Sequence, residues 1–245
     1  MGTPRPAAKP AACPVCPRGL VPAGMRASLQ HIDAWIFDLD NTLYPASAAL
    51  FPLIDQRMTE FVAQHLGLTR DEAFRRQKQW FLDHGTTLSG MMAEHGVDPH
   101  VFLEFVHDID MAALTADERL ASAIALLPGR KLVFTNGDAP YARKVLDRLG
   151  LGTTFEAIHD IHATAYKPKP HPSAYQGLCD AYAIDPTRAL FAEDMARNLK
   201  PAKALGMTTL WVDNGSEQGH DADRSFIDYT TPDLGHWLLG VLEDQ

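Results

Sequence analysis

Cysteine, basic charge and long apolar runs are all scarce in this chain. The 245 residues include three cysteines, Cys13, Cys16 and Cys179, which do not form a disulfide framework and point to a reducing, cytoplasmic setting. Apolar runs are broken by charge or proline within about ten residues, short of the roughly 20 a membrane-spanning helix needs. Lys and Arg total 22 against 31 Asp and Glu, a net charge of −9. That balance argues against nucleic acid as a partner and leaves room for a small anionic substrate at a locally positive site. The pair Cys13 and Cys16 has half of a zinc-site spacing, with no second pair or His pair to complete it. It lies in segment 1–30, rich in Pro, Ala and Gly and without periodicity, which reads as a disordered leader.

What the chain does have is 46% hydrophobic residues, enough for a full core, and one unusual strand end. In Trp35-Ile36-Phe37-Asp38-Leu39-Asp40-Asn41-Thr42-Leu43-Tyr44 a short apolar run closes on two carboxylates two residues apart. Strands buried on both faces read as continuous apolar runs, and ligands of open α/β sheets bind beyond their carboxyl ends. An Asx turn capping the strand end is the alternative account of the pair. Residues 48–120 then carry helical periodicity without strand signals, including Thr69 and Glu72 at capping-box spacing. From Lys131 onward strand and helix patterns alternate, the sign of βαβ units. The order predicts an α/β fold: a Rossmann-like, doubly wound parallel sheet from residues 31–47 and 121–245, with an all-helical cap, residues 48–120, inserted after the first strand.

Three further segments carry chemistry. Thr135-Asn136-Gly137 follows the apolar run 131–134 and offers a hydroxyl, turn amides and a helix N-terminus, which are phosphate donors, though Asn-Gly also favours an ordinary turn. Lys167-Pro168-Lys169-Pro170-His171-Pro172 places a lysine between prolines ahead of a helix. Glu193-Asp194 ends the run 190–192, where Asp could hold a hard cation or merely cap a helix.

Taken in order, Asp38-x-Asp40-x-Thr42, Thr135-Asn136-Gly137, Lys169 with Pro170, Pro172 and Tyr175, and Glu193-Asp194 with Asn198 resemble the four signatures of the haloacid dehalogenase (HAD) superfamily. The resemblance covers about residues 35–212. It implies a Mg²⁺-dependent phosphatase in which Asp38 is the nucleophile and Asp40 the acid and base. Lys169, with Thr135, Asn136 and Gly137, would hold phosphate. Asp38, the Asp40 backbone carbonyl and Asp194 would hold the metal, supported by Glu193 and Asn198. Lys169 is preferred over Lys167 because the aromatic Tyr175 falls six residues after it. Asn41, Tyr44 and Pro45 resemble the pyrimidine 5′-nucleotidase branch, which implies nucleoside monophosphates such as UMP or CMP as substrates. Sugar phosphatases and β-phosphoglucomutase-like phosphomutases share these residues and stay open, as does a non-catalytic binding or regulatory protein on the same fold. Phe81, His84, Met91 and Met92 of the cap could line the site or simply pack. The expected partner is a small phosphorylated molecule, with no nucleic acid and no membrane, and the chain is expected to act as a monomer or homodimer.

Overall fold

The computed structural model describes residues 29–216 and 223–243. The expected leader with Cys13 and Cys16 therefore lies almost wholly outside the described residues. Six strands, β1 (Ala34–Phe37), β2 (Arg130–Phe134), β3 (Ala157–His159), β4 (Ala189–Glu193), β5 (Thr208–Val212) and β6 (Tyr229–Thr231), form one sheet in the order β3-β2-β1-β4-β5-β6. Every pairing is parallel, which requires a crossover connection between paired strands.

Alternation along the strands divides the core between the two faces. Trp35, Phe37, Val133, Leu190 and Leu210 pack on one face. Ala34, Ile36, Leu132, Phe134 and Phe191 pack on the other. Helices α5 (Glu118–Leu126), α6 (Ala139–Arg148) and α9 (Leu234–Leu242) cover the first face, while α7 (Pro172–Tyr182) and α8 (Ala196–Leu205) cover the second. The fold is thus the doubly wound α/β architecture expected. Helix α5 lies against α9, tied by an Arg119–Asp233 ion pair at 3.0 Å.

Between β1 and α5 stand four further helices, α1 (Leu50–Leu66), α2 (Arg70–His84), α3 (Thr87–His95) and α4 (Pro99–Val106). The capping box is present: Thr69 accepts from the Glu72 amide and Glu72 accepts from the Thr69 amide. Gly90 of α3 lies so close to Trp80 of α2 that a Cβ would stand 2.2 Å from the indole, which is why this position carries no side chain. Among the described residues no helix is long and apolar enough to cross a membrane.

His159, at the end of β3, is buried against Phe134 and Tyr182, with ring centroids 5.5 and 5.7 Å away. Neither ring nitrogen has a hydrogen-bond partner among the described residues. Burial lowers its pKa below the ordinary 6.5, against a smaller opposing pull from Asp160. The folded state therefore favours neutral His159, and this contribution to stability is present above the unfolded value and lost as pH falls through the folded one. His159→Phe is expected to flatten the acid limb of the stability profile, measured by urea unfolding at pH 7.5 and pH 5 (on the order of one pH unit or more either side of the free-histidine value); an unchanged limb would contradict this.

Candidate active site

Strand pairing brings the chemistry-bearing segments to one edge. Phe37 is level with Val133 of β2 and Ala192 of β4, so the next residue, Asp38, emerges beside Phe134 and Glu193. The Asp38 amide donates to the Ala192 carbonyl at 2.9 Å, extending the ladder one step past the strand.

Lys169 joins these ends. Its ammonium donates to Asp38 Oδ1 at 2.6 Å, Glu193 Oε2 at 2.7 Å and the Phe134 carbonyl at 2.8 Å, which engages all three of its N–H bonds. The side chain is 1% exposed. Burial alone would lower its pKa, but Asp38 and Glu193 outweigh burial and raise it, so the charge is retained. Asn136 fixes the lysine's backbone: Asn136 Oδ1 accepts from the Lys169 amide at 2.8 Å and Nδ2 donates to its carbonyl at 3.2 Å. The Asn136 side chain, expected among the phosphate donors, is thus engaged with Lys169. Thr135 is buried and its hydroxyl accepts from the Gly137 amide at 2.9 Å.

Thr42 couples the first and last motifs. Its hydroxyl donates to Asp38 Oδ2 at 3.0 Å and accepts from the Asp194 amide at 3.1 Å. Glu193 Oε1 accepts from the Met195 amide. Tyr175, the aromatic after Lys169, donates to the Asn198 carbonyl at 2.6 Å, linking α7 to α8. The Asn198 side-chain oxygen is buried without a partner among the described residues.

Carboxylate oxygens of Asp38, Glu193 and Asp194 lie within 4.8 Å of one another, all three residues buried. Lys169 brings one positive charge to three acids. Burial, then the Glu193 charge, outweigh Lys169 and push Asp38 up to about 7. Burial with the charges of Glu193 and Asp38 pushes Asp194 up to about 9. Buried, mutually repelling carboxylate oxygens are the donor set a hard divalent cation such as Mg²⁺ takes, so the residues fit the expected metal.

Two contributing residues, Trp211 and Asn214, carry no obvious signal in the sequence. Asn41 takes a left-handed backbone, φ 59°, which Asn tolerates better than most side chains. The Asn214 side chain donates to its carbonyl, and Trp211 Nε1 donates to the Asp194 carbonyl at 2.8 Å. Of the residues of the inserted helices expected near the site, Met91 is fully buried in the core, His84 pairs with Glu94 at 3.2 Å, and Met92 packs against the core. Phe81 is 40% exposed, and the Arg197 guanidinium from the first turn of α8 stands 5.0 Å from its ring centroid.

The protein is thus of the doubly wound α/β class, with a buried Asp–Lys–Glu bridge at the carboxyl end of its central strand and helices inserted after that strand. A profile of the haloacid dehalogenase-like hydrolases matches residues 32–206, and the chain belongs to this family. It is similar to "Phosphate metabolism protein 8" of Saccharomyces cerevisiae, 25% identical over 191 residues, 71% of this chain and 59% of that protein, so the match spans less than two thirds of that relative. It is also similar to the phosphoglycolate phosphatase of Escherichia coli O157:H7, 22% identical over 81% of this chain and 88% of the relative. Two solved structures share the fold at a TM-score of 0.56: a HAD phosphatase from Thermococcus onnurineus, 19% identical, covering 86% of this chain and 98% of its own, and a 2-haloacid dehalogenase from Pseudomonas syringae pv. Tomato, 18% identical, covering 87% and 100%.

Proposed function

We propose that the protein is a Mg²⁺-dependent phosphatase that hydrolyses phosphate monoesters through an aspartyl-phosphate on Asp38. The observation that carries this reading is the second carboxylate, Asp40, two residues from Asp38 and half-buried at the same edge. A dehalogenase attacks carbon and has no leaving alcohol to protonate, whereas a phosphatase needs an acid at this place.

In the first step the Asp38 carboxylate attacks phosphorus as the bond to the leaving oxygen breaks, and Asp40 gives that oxygen its proton. In the second, water attacks the aspartyl-phosphate, its proton passes to Asp40, and Asp38 is released as carboxylate. Lys169 holds Asp38 in line, and the Thr135 hydroxyl, which accepts from Gly137, keeps its own O–H to donate to a phosphoryl oxygen. The Asn136 backbone amide follows Thr135 at the same edge, while the Gly137 N–H is engaged with the Thr135 hydroxyl. Mg²⁺, held by the Asp38 carboxylate, the Asp40 carbonyl and Asp194, would keep Asp38 ionised and neutralise phosphoryl charge. Glu193 and Asn198 support that set.

The inserted helices α1–α4 form the cap in this reading. We place its carboxyl boundary ahead of α5, because α5 packs on α9. Exposed Phe81 with Arg197 supports a planar leaving group and hence the nucleoside monophosphates, UMP or CMP. Phosphoglycolate is the second reading, favoured by the similarity to the E. coli phosphatase. Phosphate release from UMP, CMP, sugar phosphates and phosphoglycolate, with and without Mg²⁺, tests both. Turnover of UMP or CMP that stops on Mg²⁺ removal is expected; hydrolysis of the others without UMP or CMP would sink the nucleotidase reading, and no release from any would sink the phosphatase.

A further inference from the structure

Two buried phenols converge on one oxygen of Asp40. Tyr44 Oη donates to Asp40 Oδ1 at 2.6 Å, and Tyr141 Oη donates to the same oxygen at 2.7 Å. Both rings are buried, and they come from different parts of the chain. Tyr44 lies on the turn leading into the helical insertion, and Tyr141 lies in the first turn of α6. The Tyr141 ring is itself held: it stacks on His107 with centroids 4.2 Å apart and planes 16° from parallel. His107 Nδ1 is 2.9 Å from Asp138 Oδ1, and that oxygen also caps α6 by accepting from the Tyr141 amide. Burial, reinforced by the Asp40 charge, raises both phenols well above the ordinary tyrosine value, so they remain protonated donors.

A carboxylate oxygen that already accepts two O–H bonds has no place for a proton of its own. Any proton Asp40 carries then sits on Oδ2. We propose that Tyr44 and Tyr141 are positioning residues that clamp Asp40 through Oδ1 and so fix Oδ2 as the atom that exchanges protons with the leaving oxygen and with water. This rests on the phosphatase reading. The balance is simple: the Oδ2–H bond breaks as the leaving oxygen gains that proton and the electron pair of its bond to phosphorus. In the return step a water O–H breaks, its oxygen joins phosphorus, and the proton returns to Oδ2. The phenols act through Asp40 and undergo no net change.

Tyr44→Phe and Tyr141→Phe keep each ring and remove each hydroxyl. The measurement is kcat/KM over a series running from p-nitrophenyl phosphate, whose leaving group departs without a proton, to alkyl phosphates, whose leaving group requires one. Wild type and Asp40→Asn set the two ends of the scale. Each tyrosine variant is expected to lose about tenfold on alkyl phosphates and less than about threefold on p-nitrophenyl phosphate, a fraction of the effect of losing a general acid outright. Losses equal across the series, or no loss, would overturn the clamp, because a purely structural role lowers all substrates together. A wild type that hydrolyses none of the series removes the phosphatase reading and the clamp with it. If Asp40→Asn loses more on alkyl phosphates than on p-nitrophenyl phosphate while the Phe variants show no such difference, the clamp alone is removed. The hydroxyls belong to separate elements, so if thermal unfolding shows one variant misfolded, the other decides.

Discussion

Asp38→Asn is expected to lower phosphate release by about 10⁴-fold or more, the size of effect seen when a covalent nucleophile is lost, while leaving the fold intact. Asn keeps the shape of Asp and one oxygen that can accept from Lys169 or Thr42, but it has no charge to attack phosphorus. The fold does not depend on that charge. Burial and the neighbouring Glu193 already push the Asp38 carboxyl up to about 7 despite Lys169, so the ionised form is disfavoured in the folded chain. Phosphate release and thermal unfolding measured together check both halves. Retained turnover would remove Asp38 from the chemistry; a collapsed fold would show the carboxylate to be structural.

Lys169→Met is expected to lose activity and stability together. The ammonium is buried and makes three hydrogen bonds, two of them to carboxylates. Met fills similar space but leaves Asp38 and Glu193 facing each other without a cation. Removing one partner of a buried ionic group costs about 3–5 kcal/mol, read from urea unfolding. Adding Glu193→Gln should return part of the stability and none of the activity, because it relieves the repulsion without restoring a positive charge beside the phosphate. A Lys169→Met chain as stable as wild type would show that the bridge does not hold the strand ends together.

The sheet and its acidic edge were legible because parallel strands buried on both faces are written as apolar runs, and Asp38, Thr135 and Glu193 each follow one. Lys169 was placed by its prolines and by Tyr175, whose hydroxyl reaches the Asn198 carbonyl. Strand β6 was not anticipated: it is three residues long, carries two threonines and lies at the sheet edge, where burial on both faces is not required. Helix α5 was not anticipated either, although its signals are local, with Asp117 accepting from the Arg119 and Leu120 amides and Leu120, Ala123 and Ile124 on its buried face. Tyr141, Trp211 and Asn214 belong to a different category. They meet Asp40, Asp194 and Asn41 from 101, 17 and 173 residues away, so no short window of sequence contains the contact. Thr42 and Tyr44 sat within the first motif, yet their partners depend on how the turn after β1 folds back, a geometry that begins with the left-handed Asn41.

Trapping the covalent intermediate tests Asp38 as the nucleophile. Enzyme turning over a phosphate monoester would be quenched in acid, reduced with borohydride and digested, and the peptides read by mass spectrometry. Homoserine is expected at position 38 where the acyl phosphate stood, dependent on substrate and absent without it. Turnover that leaves Asp38 unmodified while the phosphoryl group is found on another residue, or on none, would contradict that role.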